Sequence, residues 1–209
     1  MSGLIDALGD PDTSIREKRA AYSLRRIGDP RAAPRLIEML GDREDRLRNA
    51  AASALVDLDL TEHADAAVTG FIGVLEDRVM RNYDNRGIVQ NAVVALGRLR
   101  DPRAVPVLLE ALSSYHKHVP LEAAAALGKI GDPKAVPHLA RTLRYRSGRS
   151  SSRSAMAAAL GEIGDPSAVT HLLDTLNQER DSAVRAESAT ALGRLGDVSV
   201  IPHQLAALG

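Results

Sequence analysis

The sequence predicts an all-α solenoid: one array over residues 1–209, about six helix A–helix B repeats behind an N-terminal half repeat. Three observations predict it. A phrase close to A-x-A-L-G-x-[IL]-G-D-P-x-A-V-P-x-L-x-x-x-L returns at 23–40, 95–112, 126–143, 159–176 and 191–208, with a degenerate copy at 53–75. The Pro of A-V-P, or the Thr in its place, falls at Pro34, Thr69, Pro106, Pro137, Thr170 and Pro202, at intervals of 35, 37, 31, 33 and 32 residues. That period fits one helix–turn–helix unit per repeat. Aromatic residues make up only 2% of the chain, so alanine and leucine must do the packing, through close helix stacking.

In chain order, Leu4 to Leu8 read as a B-like helix that leads the array. Each following unit divides at G-D-P. Before it, Ala and Leu recur at helical spacing, as in AAAALGKI at 123–130; after it, Val136, Leu139 and Leu143 form an amphipathic stripe. Gly28, Gly131 and Gly164 are expected to end helix A in the left-handed conformation. Asp29, Asp132 and Asp165 then cap helix B, with Pro30, Pro133 and Pro166 at its first position. Gly97, Gly128, Gly161 and Gly193 share one place inside helix A. Each costs about 1 kcal/mol of helix propensity, so their recurrence points to a neighbouring backbone approaching closely. The last B helix, VSVIPHQLAALG, lacks the polar outer face of a cap, which leaves a monomer or weak self-association through that helix.

These A-L-G-x-[IL]-G-D-P-x-A-V-P cores resemble the HEAT-like repeats of the phycobilisome-lyase family, over nearly the whole chain. The resemblance implies the solenoid fold. It implies no single activity, because that family mixes bilin lyases, proteins of phycobilisome breakdown and interaction scaffolds. In related solenoids the B helices line the concave face; its candidate residues here are Arg31, Arg35, Arg103, Lys134, His138, His171 and His203, with Glu38, Glu110 and Asp174 among them.

Composition excludes several classes. Lys+Arg and Asp+Glu are both 27, so bulk charge favours neither nucleic acid nor a membrane surface. Without cysteine there is no disulfide, thiolate metal site or cysteine nucleophile. The opening MSGLIDALGDPD reads as no secretory signal, and no apolar run approaches the roughly 20 residues of a membrane span. The expectation is a soluble cytoplasmic protein. No nucleophile elbow, H-E-x-x-H, Walker loop or dinucleotide fingerprint occurs, and no catalytic residue is assigned. The His-Glu pairs that bind iron in deoxyhypusine hydroxylases have no counterpart, Glu62-His63 being the reverse order. His138, His171 and His203 recur at one B-helix position, but stacked helices stand about 8–10 Å apart and zinc ligands lie about 2.0–2.1 Å from the metal. They read as a surface row, and no metal is assigned.

The deviations from the repeat lie in the loops from helix B to the next helix A. GDPDTSIR (9–16), GDREDRLR (41–48) and NQERDSAVR (177–185) are polar, acidic and structural. Three central loops differ: EDRVMRNYDNRG (76–87) with Arg78, Arg81, Tyr83 and Arg86; SSYHKHVP (113–120) with Tyr115, His116, Lys117 and His118; and RTLRYRSGRSSSRS (141–154) with Arg141, Arg144, Tyr145, Arg146, Arg149 and Arg153. Equivalent loops of a solenoid share an edge, so these are expected to form one basic, tyrosine-bearing patch for an anionic group. The leading functional reading is a non-catalytic scaffold for a protein partner with an acidic or phosphorylated surface, using this patch and the B-helix face. The first alternative, from the family resemblance, is a bilin lyase subunit or chromophore-handling factor, with a bilin as the only cofactor in view. The second is nucleic-acid binding through the arginine cluster, against which zero net charge and the absence of Trp weigh.

Overall fold

The computed structural model describes residues 2–10, 12, 21–77, 86–114, 116–144 and 149–196. Among them are twelve α-helices and no strand: α1 (Ser2–Asp6), α2 (Tyr22–Ile27), α3 (Ala33–Met39), α4 (Asp45–Leu55), α5 (Ala64–Glu76), α6 (Arg86–Leu99), α7 (Val105–Ala111), α8 (Val119–Ile130), α9 (Val136–Arg144), α10 (Ser150–Ile163), α11 (Ala168–Gln178) and α12 (Ser182–Leu195). The fold class is the all-α solenoid. The final B helix expected at 197–208, with His203, lies outside the described residues.

The chain forms two compact units, residues 1–99 and 100–209. In the first, the A helices α2, α4 and α6 stack in order, α3 packs on α5, and the hairpins α3–α4 and α5–α6 join the two layers. In the second, the A helices α8, α10 and α12 stack, α9 packs on α11, and α7–α8, α9–α10 and α11–α12 join the layers.

The repeat's leucines explain why. The Leu of A-L-G and its equivalents, Leu24, Leu55, Leu96, Leu127, Leu160 and Leu192, are all 0% exposed. So are the B-helix residues two places beyond the Pro marker: Leu36, Phe71, Leu108, Leu139 and Leu172. The one Phe of the chain therefore substitutes for a leucine of the B-helix stripe. A helix showing one apolar stripe buries it only against another, so each pair draws its stability from its neighbours.

The turn between A and B follows its sequence signal. Gly28, Gly131 and Gly164 close helix A at φ of 70, 74 and 77°. Arg100 holds the same place in a repeat that lacks the glycine, at φ 53°. Asp29, Asp101, Asp132 and Asp165 each accept a hydrogen bond from the amide two residues on, at 2.8–2.9 Å. In the degenerate copy Asp59 does the same for Thr61. The capped proline opens a short 3-10 turn at Pro30–Ala32, Pro102–Ala104 and Pro133–Ala135, and the α-helix begins only at the next residue.

At Gly128 and Gly161 the recurrent glycine inside helix A marks a close approach, as expected. A Cβ on Gly128 would stand 3.1 Å from the Ala159 Cα, and one on Gly161 would stand 2.7 Å from the Ala191 Cα. Gly73, in α5, is the opposite case: it is exposed and a Cβ there would meet nothing within 4 Å. Gly73→Ala is expected to raise stability by about 0.5–1 kcal/mol, the helix-propensity difference alone, read as a higher urea midpoint at unchanged slope.

Candidate functional site

The second unit carries a row of basic side chains on α9 and the turn before it. Lys134, His138, Arg141 and Arg144 are exposed along α9 and the turn before it, at intervals of 4, 3 and 3 residues. The buried stripe of the same helix is Val136, Leu139, Ala140 and Leu143, which turns the cationic stripe outward. The segment 133–144 contains no acid. Arginines near a helix C-terminus interact favourably with its dipole, so the row costs the fold little.

What distinguishes this row is that it is not neutralised. Arg31 closes a fork on Asp29 at 2.7 Å, Arg35 pairs with Glu38 at 2.6 Å and Arg103 with Asp101 at 2.8 Å. The hydrogen bonds from the Arg31 and Arg103 side chains, ahead of those from their amides, hold the Asp29 and Asp101 carboxyls below the ordinary aspartate range. Lys134 has Asp132 at the same two-residue spacing and caps it with its amide as Arg31 and Arg103 do theirs, but a lysine ammonium cannot reproduce the two-pronged side-chain contact. No carboxylate among the described residues pairs with the Arg141 or Arg144 side chain. The predicted face is thus divided: Arg31, Arg35 and Arg103 are matched inside their own repeats, whereas the charge on α9 is open.

Between α9 and α11 lies a cleft of about 370 Å³ lined by Pro137, Ala140, Arg141, Arg144 and His171. A second hollow of about 190 Å³ shares Arg144 and is bounded by Leu143, Asp174, Thr175, Gln178 and Glu179. His138 is exposed and His171 half-buried. Among the described residues no group of three or more His, Asp or Glu is placed to hold a metal ion, and no helix is long and apolar enough to cross a membrane.

The loop candidates separate. Lys117, His118 and Arg149 are exposed, but His116 is buried. Arg153 corrects the expectation of an exposed cation: it turns inward and pairs with Glu179, the two side chains being 8% and 7% exposed. Glu179 also accepts hydrogen bonds from the amides of Arg180 and Asp181. Arg153 is therefore a staple between the start of α10 and the end of α11, held by the burial of both partners. Arg78, Arg81, Tyr83, Tyr115, Tyr145 and Arg146 lie outside the described residues, as does the side chain of Arg86.

The staple recurs, and the repeat contained a sign of it. Counting seven residues back from the Leu of A-L-G or its equivalent gives Arg48, Arg153 and Arg185. Arg48 is buried, bonds to Asp45 and to the Asp42 carbonyl, and stands 3.7 Å from Asp77 beyond the end of α5. Arg185 donates to the carbonyls of Glu179 at 3.2 Å and Arg180 at 2.9 Å.

The sequence matches the family model for HEAT repeats over residues 1–82, 74–150 and 145–209. No curated protein matches it. Among solved structures, an engineered protein is similar at 21% identity and TM-score 0.67, over 93% of this chain and 95% of that one. A designed armadillo repeat protein in complex with the peptide (KR)4 is similar at 15% identity and TM-score 0.68, over 92% and 98%. The complex of CpcE and CpcF of phycocyanin lyase from Nostoc sp. is similar at 22% identity and TM-score 0.53, over 99% and 79%. At these identities the likenesses concern the fold.

Proposed function

Since this chain belongs to the HEAT repeat family, we propose that it is a non-catalytic protein-binding scaffold that receives an acidic segment of its partner on the α9–α11 face. The observation that carries this reading is the open cationic row on α9. Lys134, Arg141 and Arg144, with His138 among them, stand on one stripe beside the cleft, while the arginines at the Lys134 and His138 places of other repeats, Arg31, Arg103 and Arg35, are already satisfied. A neighbour of the same fold holds a basic peptide; the sign on α9 favours the opposite charge in the ligand. Exposed arginines reach carboxylates with two parallel hydrogen bonds, so they add direction as well as attraction. Charges at a solvent-facing groove are screened by salt, so the affinity falls as ionic strength rises.

Titration with a fluorescent glutamate-rich peptide tests the reading. The wild-type chain is expected to bind it. The exposed double substitution Arg141→Glu/Arg144→Glu is expected to weaken binding by at least about tenfold, or about 1.4 kcal/mol, with the thermal transition unchanged. Equal binding by the two proteins would overturn the proposal.

A further inference from the structure

We infer that the groove between α9 and α11 selects a peptide of mixed character: an apolar side chain beside a carboxylate, with a lysine, arginine or amide donor next along the segment. This rests on the acidic-segment reading above and narrows it. The groove has two compartments that meet at Arg144. The first has an apolar wall, Pro137 and Ala140, under the polar rim of Arg141, Arg144 and His171. Its volume of about 370 Å³ falls in the range of natural ligand sites, about 300–1,000 Å³. A chain of carboxylates alone would satisfy the rim and leave the wall in water. A leucine or phenylalanine covers the wall while the adjacent carboxylate meets the guanidinium groups.

The second compartment sets an open carboxylate beyond Arg144. Of its two acids, Glu179 is already committed to Arg153 and to the amides of Arg180 and Asp181. Asp174 is exposed on α11, and no cation among the described residues pairs with it. A second glutamate of the ligand would be repelled there, whereas an ammonium or amide N–H would be attracted. Arg144, at the junction, holds the carboxylate between the two. The step from guanidinium to carboxylate along one groove fixes the order of groups in the ligand, and order is what a uniform basic patch cannot read.

The test uses the full chain and three labelled peptides of equal length. One carries Phe-Glu followed by Lys in an otherwise Gly/Ser/Glu background; the second replaces Phe by Ala; the third replaces Lys by Glu. The first is expected to bind at least about tenfold more tightly than either variant. In Asp174→Lys the preference between the Lys and Glu peptides is expected to reverse. If all three bind the wild type alike and Asp174→Lys leaves their ranking unchanged, the selectivity is wrong while the acidic-segment reading stands. If none binds the wild type, or Arg141→Glu/Arg144→Glu binds them equally well, both fall.

Discussion

Arg153→Met is expected to destabilise the protein by about 3–5 kcal/mol, because it takes the buried guanidinium away from the buried Glu179 carboxylate. Arg153 and Glu179 have side chains only 8% and 7% exposed, and they join the start of α10 to the end of α11, 26 residues apart in sequence. Methionine fills the stem's volume and removes the counter-charge. Glu179 keeps the amides of Arg180 and Asp181 among its partners, but a neutral amide does not replace a guanidinium. Arg153→Lys is not expected to rescue, since a point charge on a different stem cannot adopt the same fork. The double substitution Arg153→Met/Glu179→Gln should recover most of the loss, because replacing both partners of a buried pair costs far less than removing one. The check is urea unfolding of the single and double variants. A loss below about 1 kcal/mol for Arg153→Met is the behaviour of a surface ion pair and would contradict the assignment.

Gly161→Ala is expected to destabilise by about 1–3 kcal/mol, the usual cost of overpacking, although alanine is the better helix former by about 1 kcal/mol. The new methyl carbon would lie 2.7 Å from both the Cα and the Cβ of Ala191, and backbone cannot swing aside as a side-chain tip can. α10 and α12 must separate, and the strain passes into the stack. Gly128→Ala is expected to cost less: its backbone neighbour is 3.1 Å away, and its nearest atom, at 2.5 Å, is the end of the flexible Glu162 side chain. Together with the gain expected at Gly73, the series reverses sign with local space alone. A stabilised Gly161→Ala would show that the A helices are not in backbone contact there.

The fold was legible because its determinants are periodic. The Leu of A-L-G, the glycine caps, the capping aspartates and the tight glycine each recur at one place, and a recurring residue shows its role by comparison with its copies. What escaped was pairing between loops. Arg153 reads as one more arginine in an acid-free segment because its partner is contributed by the end of α11, and only its place seven residues before the Leu of A-L-G, shared with Arg48 and Arg185, marks it as inward. The division of the B-helix cations was closer to the surface of the sequence. Asp29 precedes Arg31, and Asp101 precedes Arg103, by two residues, so those arginines are neutralised at home. Arg141 and Arg144 have no such aspartate. His116 and its burial had no periodic counterpart to reveal them.

The most direct measurement is a backbone amide chemical-shift map of the full chain titrated with the Phe-Glu-Lys peptide. Perturbations are expected to concentrate on residues 134–144 and 171–178, and those on 31–38, where Arg31 and Arg35 are already paired, to stay near the noise. Perturbations centred on 31–38, or spread evenly over both units, would contradict binding on the α9–α11 face.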